Sequence, residues 1–360
     1  MRIVSVFAFA IIGTGSIAPT HAKALAALPN ACLDAVCDLD RARAEAFATE
    51  FPARVLSWNE ILQDPSIDAA ILCTPSGTHA DLAVALLLAG KHVVAEKPMD
   101  ITACACDRIV AACETSGKIF TVISQHRFDP AAQEVHRLIQ EGRLGRIFGV
   151  EARIPWFRTQ DYYDSGDWRG TWALDGGGCL INQGVHTLDL ALWFGGKARS
   201  VFARALQATH QRIEVEDHLC ATLELETGAI GTLLASTSVY PGFPARIEVF
   251  GTDGSAILEG DELHTLAIKG EPTRHGQASA HAAQVASGGT KTATEQSRTQ
   301  ALAQDKWVWG DAHRAQLHDF IQACRLNRPP AISAQEGRHV VATIEAIYQS
   351  ARTGQPCSVH

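Results

Sequence analysis

An apolar run from Val6 to Ile12 breaks into Gly13-Thr14-Gly15-Ser16-Ile17-Ala18, and no other short segment constrains the fold as strongly. The run predicts a strand, the glycines a tight turn, and the pattern from Ile17 to Leu28 a helix with Pro19 in its first turn. In such a strand–turn–helix, the first glycine permits the turn and the second lets the backbone approach a pyrophosphate. The small Ala18 lets helix and strand pack closely, while the helix N-terminus faces the phosphate charge. An ordinary glycine turn is the competing reading, and the flanking strand and helix weigh against it. Read as a secretory signal, Met1-Arg2 and Ile3 to Ile12 would be cleaved near Thr20-His21-Ala22, destroying that turn, so the strand reading is preferred.

The rhythm continues with apolar runs at Leu33–Cys37, Ala69–Cys73, His92–Ala95 and Ile119–Ile123, separated by helical patterns at Arg41–Glu50 and Ala80–Ala89. Alternation of this kind predicts a parallel sheet with crossover helices, a doubly wound Rossmann domain over residues 1–126. Asp38 ends the second strand, where a carboxylate accepts hydrogen bonds from a ribose 2′-hydroxyl and repels a 2′-phosphate. That favours NAD over NADP, although Arg41 lies close enough to blur the choice. Asp38 also admits a plainer reading beside the helix opened by Asp40 and Arg41.

After Phe128 the rhythm changes. Helices are expected at Glu134–Glu141 and Asn182–Phe194, with strands at Ile147–Ile154, Leu219–Leu225, Ala229–Ser236, Ile247–Phe250 and Ala256–Leu258. Glu226-Thr227-Gly228 and Thr252-Asp253-Gly254 read as hairpin turns. The fold class is therefore α/β, with a second α+β domain over residues 127–360 built on an open, mainly antiparallel sheet. Residues 272–299, rich in Ala, Ser, Gly, Thr and His, read as a surface loop, and helices resume at His313–Leu326 and Glu336–Arg352.

A net charge of -8 argues against nucleic acid as a partner. No stretch reads as a membrane span. The ten cysteines are scattered, as suits a reducing cytoplasm. Cys104 and Cys106 lack the second pair that a zinc site needs, and no metal is expected.

Three further segments carry chemistry. Glu96-Lys97-Pro98 follows a strand at the carboxyl edge where such sheets bind ligands, and a Lys beside a positively charged ring would shuttle protons readily. Asp175-Gly176-Gly177-Gly178 precedes Asn182, His186, Asp189 and Trp193, whose spacings of four, three and four place them on one helical face. Asn182 and His186 would then share a cleft, with Asp189 able to orient them. Tyr162-Tyr163 to Trp168-Arg169-Gly170-Thr171-Trp172 offers rings for a sugar face and an Arg for a carboxylate, phosphate or hydroxyl; a hydrophobic cluster under a loop explains it equally well.

The chain resembles the Gfo/Idh/MocA oxidoreductases over nearly its whole length, in GTGSIA (13–18), TPSGTHAD (74–81), EKP (96–98), GGGCLINQGVHTLD (176–189) and EVED (214–217). The resemblance implies hydride transfer between a secondary alcohol of a sugar, sugar acid or cyclitol and the nicotinamide of NAD. It implies Lys97 and His186 as catalytic residues. Gly13, Gly15, Ser16, Ile17, Asp38, Thr74, Pro75, His79, Glu96 and Lys97 would hold the cofactor, and Asn182, Arg127, Tyr163, Trp168 and Arg169 the substrate. Many relatives have Asp at the position of Asn182, and an amide cannot take a proton, which leaves His186 as the base. The Asn182-Gln183 pair is similar to that of nucleotide-sugar 3-dehydrogenases acting on UDP-linked amino-sugar uronates. A homodimer or homotetramer is expected. An NAD-retaining glycoside hydrolase and a non-catalytic sugar sensor are the alternatives.

Overall fold

The computed structural model describes residues 6–276 and 310–360. Two compact units form, and the chain enters the first of them twice.

The first unit holds six parallel strands: β1 (Phe7–Ile12), β2 (Ala31–Cys37), β3 (Arg54–Val55), β4 (Ala69–Leu72), β5 (His92–Ala95) and β6 (Phe120–Val122). Their order is β3-β2-β1-β4-β5-β6, the doubly wound arrangement expected. Both faces are covered, so central strands read as continuous apolar runs; Phe9, Ala10 and Ile11 are wholly buried. The two-residue β3 is too short to leave a sequence pattern. The helices Ala18–Ala26, Arg41–Glu50, His79–Leu88 and Ala103–Ser116 supply the crossovers.

One boundary needs correcting. The expected second domain ran unbroken from residue 127 to 360, but the chain belongs to the first unit up to Gln125 and again through the helix Asp311–Leu326 to Val341. The physical reason is an apolar stripe: Leu317, Phe320 and Ile321 join Phe9, Ile11, Ala18 and Leu25 in one core cluster.

The second unit carries nine strands: β7 (Ile147–Pro155), β8 (Ala198–Leu206), β9 (His218–Leu225), β10 (Ile230–Ser236), β11 (Arg246–Gly251), β12 (Gly254–Glu259), β13 (Glu262–Ile268), β14 (Arg274–His275) and β15 (Cys357–Ser358). They run in the order β14-β13-β12-β11-β7-β10-β9-β8-β15. Neighbours are antiparallel except β7 and β10, which pair in parallel, so the sheet is mixed. Helices Pro130–Gln140 and Val185–Gly195 pack on one face. Alternation in β9 turns Leu219, Ala221, Leu223 and Leu225 inward and leaves Cys220, Thr222 and Glu224 outside. The expected surface loop at 272–299 lies outside the described residues beyond Gly276; its start forms β14.

Among the described residues no helix is long and apolar enough to cross a membrane. All ten cysteines are free thiols.

Candidate active site

In the first unit the glycine turn has the shape a dinucleotide needs. Gly13 sits at φ +86°, and a Cβ there would lie 2.8 Å from the Cys73 carbonyl oxygen. A Cβ on Gly15 would meet nothing within 4 Å, which leaves room for a phosphate against the backbone. Ser16 and Ile17 complete the turn; Ile17 is the N-cap of the first helix and offers no side-chain cap to its amides. Asp38 accepts the Thr14 amide (2.8 Å), the Thr14 hydroxyl (2.9 Å) and the Asp40 amide (2.9 Å). Burial works against its ionisation, but these hydrogen bonds outweigh it and hold the carboxyl below the usual range. The helix cap is Asp40, which accepts the amides of Ala42 and Arg43, so Asp38 is not spent on capping. Arg41 pairs with Glu45 on the surface at 2.9 Å. An ionised acid at Asp38 with Arg41 turned to Glu45 fits a 2′-hydroxyl better than a 2′-phosphate.

Two residues expected to hold the cofactor make buried contacts within the unit. His79 is wholly buried, with Nδ1 2.9 Å from the Pro98 carbonyl and Nε2 3.0 Å from the Thr74 carbonyl. Its ring ties the Thr74-Pro75 turn to the turn at Lys97-Pro98. Glu96 is buried against His21 Nε2 at 2.7 Å, and its other oxygen accepts the Lys97 amide at 3.2 Å. Burial would raise the Glu96 pKa, but the contact with His21 brings it down to about 2. His21, Glu96 and His313 each offer a donor atom, and these atoms lie within 4.8 Å of one another. Within that group, the hydrogen bond from His21 already satisfies one Glu96 oxygen. Lys97 is half-buried at the strand's carboxyl edge.

In the second unit the glycine run is clamped by a buried acid. Glu216 accepts the amides of Gly178 and Leu180 and the Tyr348 hydroxyl, each at 3.0 Å. A Cβ on Gly178 would fall 1.8 Å from the Glu216 carbonyl oxygen, so only glycine fits. Burial pushes the Glu216 carboxyl up to about 7, against those three hydrogen bonds.

The next turn departs from the expected single α-helix. Cys179–Gly184 is a π-helical turn, and the α-helix begins only at Val185. Asn182 thus lies in the π-helical turn, while His186, Asp189 and Trp193 lie in the α-helix. Its amide donates to Asp175 (2.6 Å) and its oxygen accepts from Gln183 (2.8 Å) and the Tyr162 hydroxyl (3.3 Å). Asp189 grips Arg127 through Nε (2.8 Å) and Nη2 (2.6 Å), both residues buried, with the guanidinium 5.4 Å from the Trp193 ring. Arg127 thus spends that edge on packing the unit. The half-buried His186 ring meets His126 edge-on at 5.2 Å, and His126 Nδ1 lies 2.6 Å from Asp129. Burial lowers the His126 pKa, yet the Asp129 carboxylate outweighs it and raises the value.

The aromatic segment divides between its two readings. Tyr163 is 6% exposed, bonds Thr237 at 2.8 Å and packs on His210 in the core of the unit. Tyr162, Trp168 and Arg169 are half-buried, and the Arg169 guanidinium lies 4.3 Å and 4.4 Å from the two ring centroids. Arg158 and His126 were not singled out in the sequence. Their only signal was their place beside Trp156 and Arg127.

Residues 7–124 match the model of the oxidoreductase family with an NAD-binding Rossmann fold, and residues 132–257 match the GFO/IDH/MocA C-terminal domain. An inositol 2-dehydrogenase of Rhizobium meliloti is 31% identical over 72% of this chain and 78% of its own length. The chain belongs to the GFO/IDH/MocA family. Another family member, the scyllo-inositol 2-dehydrogenase (NAD(+)) of Bacillus subtilis, is 30% identical over 69% of this chain and 72% of its own. The WlbA dehydrogenase from Bordetella pertussis, solved with NADH and UDP-GlcNAcA, matches at 29% identity over 99% of both chains with a TM-score of 0.83. As a member of the family, the chain is an oxidoreductase with NAD as its favoured cofactor.

Proposed function

We propose that this oxidoreductase oxidises a ring hydroxyl of a sugar, sugar acid or cyclitol, with His186 taking the hydroxyl proton and Lys97 assisting. The observation that carries the cofactor half is the ionised Asp38, held by Thr14 and Asp40 beside the open Gly15 turn. NAD held there would supply the hydride acceptor. The protein's own task is the proton: as the C–H bond yields hydride, the O–H bond must yield H⁺ to a base, leaving a ketone. Asn182 cannot be that base, because an amide has no proton-accepting nitrogen and its oxygen already accepts two hydrogen bonds. His186 has the right chemistry for a proton acceptor at neutral pH.

Relatives named as inositol dehydrogenases support a cyclitol, while the WlbA dehydrogenase, similar over 99% of the chain, supports a UDP-linked sugar acid. The Asn182-Gln183 pair inclines the choice toward the second. The open face of the nine-stranded sheet, with Phe148 and Ile230 exposed, is offered as the surface on which a homodimer or homotetramer assembles; light scattering would then give a multiple of the chain mass. Ten free thiols suit a reducing cytoplasm.

The deciding experiment follows NADH absorbance with purified protein, NAD, and a panel of free sugars, cyclitols, sugar acids and UDP-sugars. Lys97→Ala and His186→Ala should each lower turnover by about a thousandfold or more while NAD still binds. Full activity in either variant would remove that residue's role. Glycoside cleavage with no net NADH would instead indicate the cofactor-retaining hydrolase, and silence with NAD bound the sensor.

A further inference from the structure

Beside the proposed base stands a second histidine. The His126 and His186 rings meet edge to face, with centroids 5.2 Å apart and planes at 82°. His126 belongs to the short turn Gln125–Phe128 and His186 to the start of the helix Val185–Gly195, both in the second unit.

A carboxylate fixes the first ring. Asp129 is the N-cap of the helix Pro130–Gln140, where an acid ordinarily accepts amides of the first turn, yet its side chain accepts none of them. It accepts from His126 Nδ1 instead, at 2.6 Å, so that nitrogen carries a proton. The Asp129 side chain is 6% exposed and that of His126 39%, so the imidazole exchanges protons with water while its partner is shut away. Two more acids face His126 from neighbouring elements. Asp261 lies in the turn between β12 and β13, and Asp189 lies on the His186 helix, where Arg127 meets its charge at 2.6 Å. Burial disfavours a charged His126, but the Asp129 hydrogen bond and the charges of Asp129, Asp261 and Asp189 outweigh it and raise its proton affinity.

Two imidazolium rings at this distance repel, whereas a charged and a neutral ring do not. The pair therefore takes one proton readily and a second reluctantly. Asp129 decides which ring receives the first. We propose that His126 is a positioning residue for the base: gripped by Asp129 and pressed against His186, it holds the first proton of the pair and so keeps the His186 ring neutral, ready for the proton of the substrate hydroxyl. The inference rests on the reading of His186 as the base and adds the group that sets its working pH. Once His186 has taken the hydroxyl proton, the same repulsion hastens its release to water, and the base is reset.

The acid limb of kcat/KM against pH, measured at saturating NAD, reports the ionisation of the base. His126→Gln keeps a hydrogen-bonding side chain and removes the charge. It should move that limb up by about one pH unit, so that activity at about pH 6 falls roughly tenfold while the alkaline plateau falls less. An unmoved limb, or an equal loss at every pH, would reduce His126 to packing and overturn the proposal. Because that variant could fail to fold, the wild-type protein with isotope-labelled histidine is also titrated by NMR without substrate, the His186 signal being identified by its loss in His186→Gln. As pH falls His126 should protonate before His186, and Asp129→Asn should lower the pH at which His126 does so by about one unit. The titration needs no turnover, so it separates the two readings. If turnover needs His186 but its ring protonates first, the base stands and the proposal alone falls; if His126 protonates first yet His186→Ala stays fully active, the base assignment falls and takes the proposal with it.

Discussion

Asp38 shows how much one side chain can decide. Its carboxylate is ionised and oriented by Thr14, so under the proposed role in ribose binding the selection between the two dinucleotides is prepared rather than induced. Asp38→Asn keeps the shape and removes the charge. Losing a charge-assisted hydrogen bond costs about 1.5–3 kcal/mol, so NAD affinity should fall roughly 10- to 100-fold while discrimination against NADP shrinks. Titration of both nucleotides against the variant checks this, and unchanged affinities would assign the ribose elsewhere. Asp38 was legible because its distance from the glycine turn is set by the length of one strand and one helix. The neighbouring tyrosines were not. Tyr162 and Tyr163 differ by a single residue in a five-residue helix, and only tertiary packing sends one ring to Thr237 and leaves the other between two arginines.

At the scale of elements, apolar periodicity located most strands and helices, because a parallel strand buried on both faces has no polar positions to blur its limits. It could not reveal the π-helical turn at Cys179–Gly184, whose extra residue per turn leaves composition unchanged. Nor could it show why the glycine run precedes that turn. Glu216, over thirty residues later, bonds the amides on either side of Cys179. This clamp has a pH signature. The Glu216 carboxyl ionises at about 7 in the fold against an ordinary 4.5, so the folded state favours its neutral form. Its contribution is fully present below pH 4.5 and is lost as pH rises through about 7, a loss on the order of 3 kcal/mol at most. Urea unfolding at about pH 5 and about pH 8 should show this decline in the wild type and a flatter profile in Glu216→Gln. An equal slope in both proteins would place the ionisation on another group.

For the whole molecule, the first unit is discontinuous: Leu317, Phe320 and Ile321 complete a core whose other members lie before residue 125. A fragment ending at Gln125 should therefore lack cooperative unfolding by circular dichroism. Supplying a peptide spanning Asp311–Val341 should restore it, and a stable fragment without the peptide would show the late helix to be dispensable. The two-domain organisation was readable from the change of rhythm near Phe128. The return of the chain was not, because an amphipathic helix does not name the surface it will cover.

That return sets a clock on synthesis. At about 5–20 residues per second, a ribosome that has finished β6 needs roughly 10 to 40 s to deliver the helix that closes the unit. For that interval the nascent sheet carries an uncovered apolar face centred on Phe9. Codon tempo and holding chaperones should therefore govern the yield of this protein more than the final stability of its fold does.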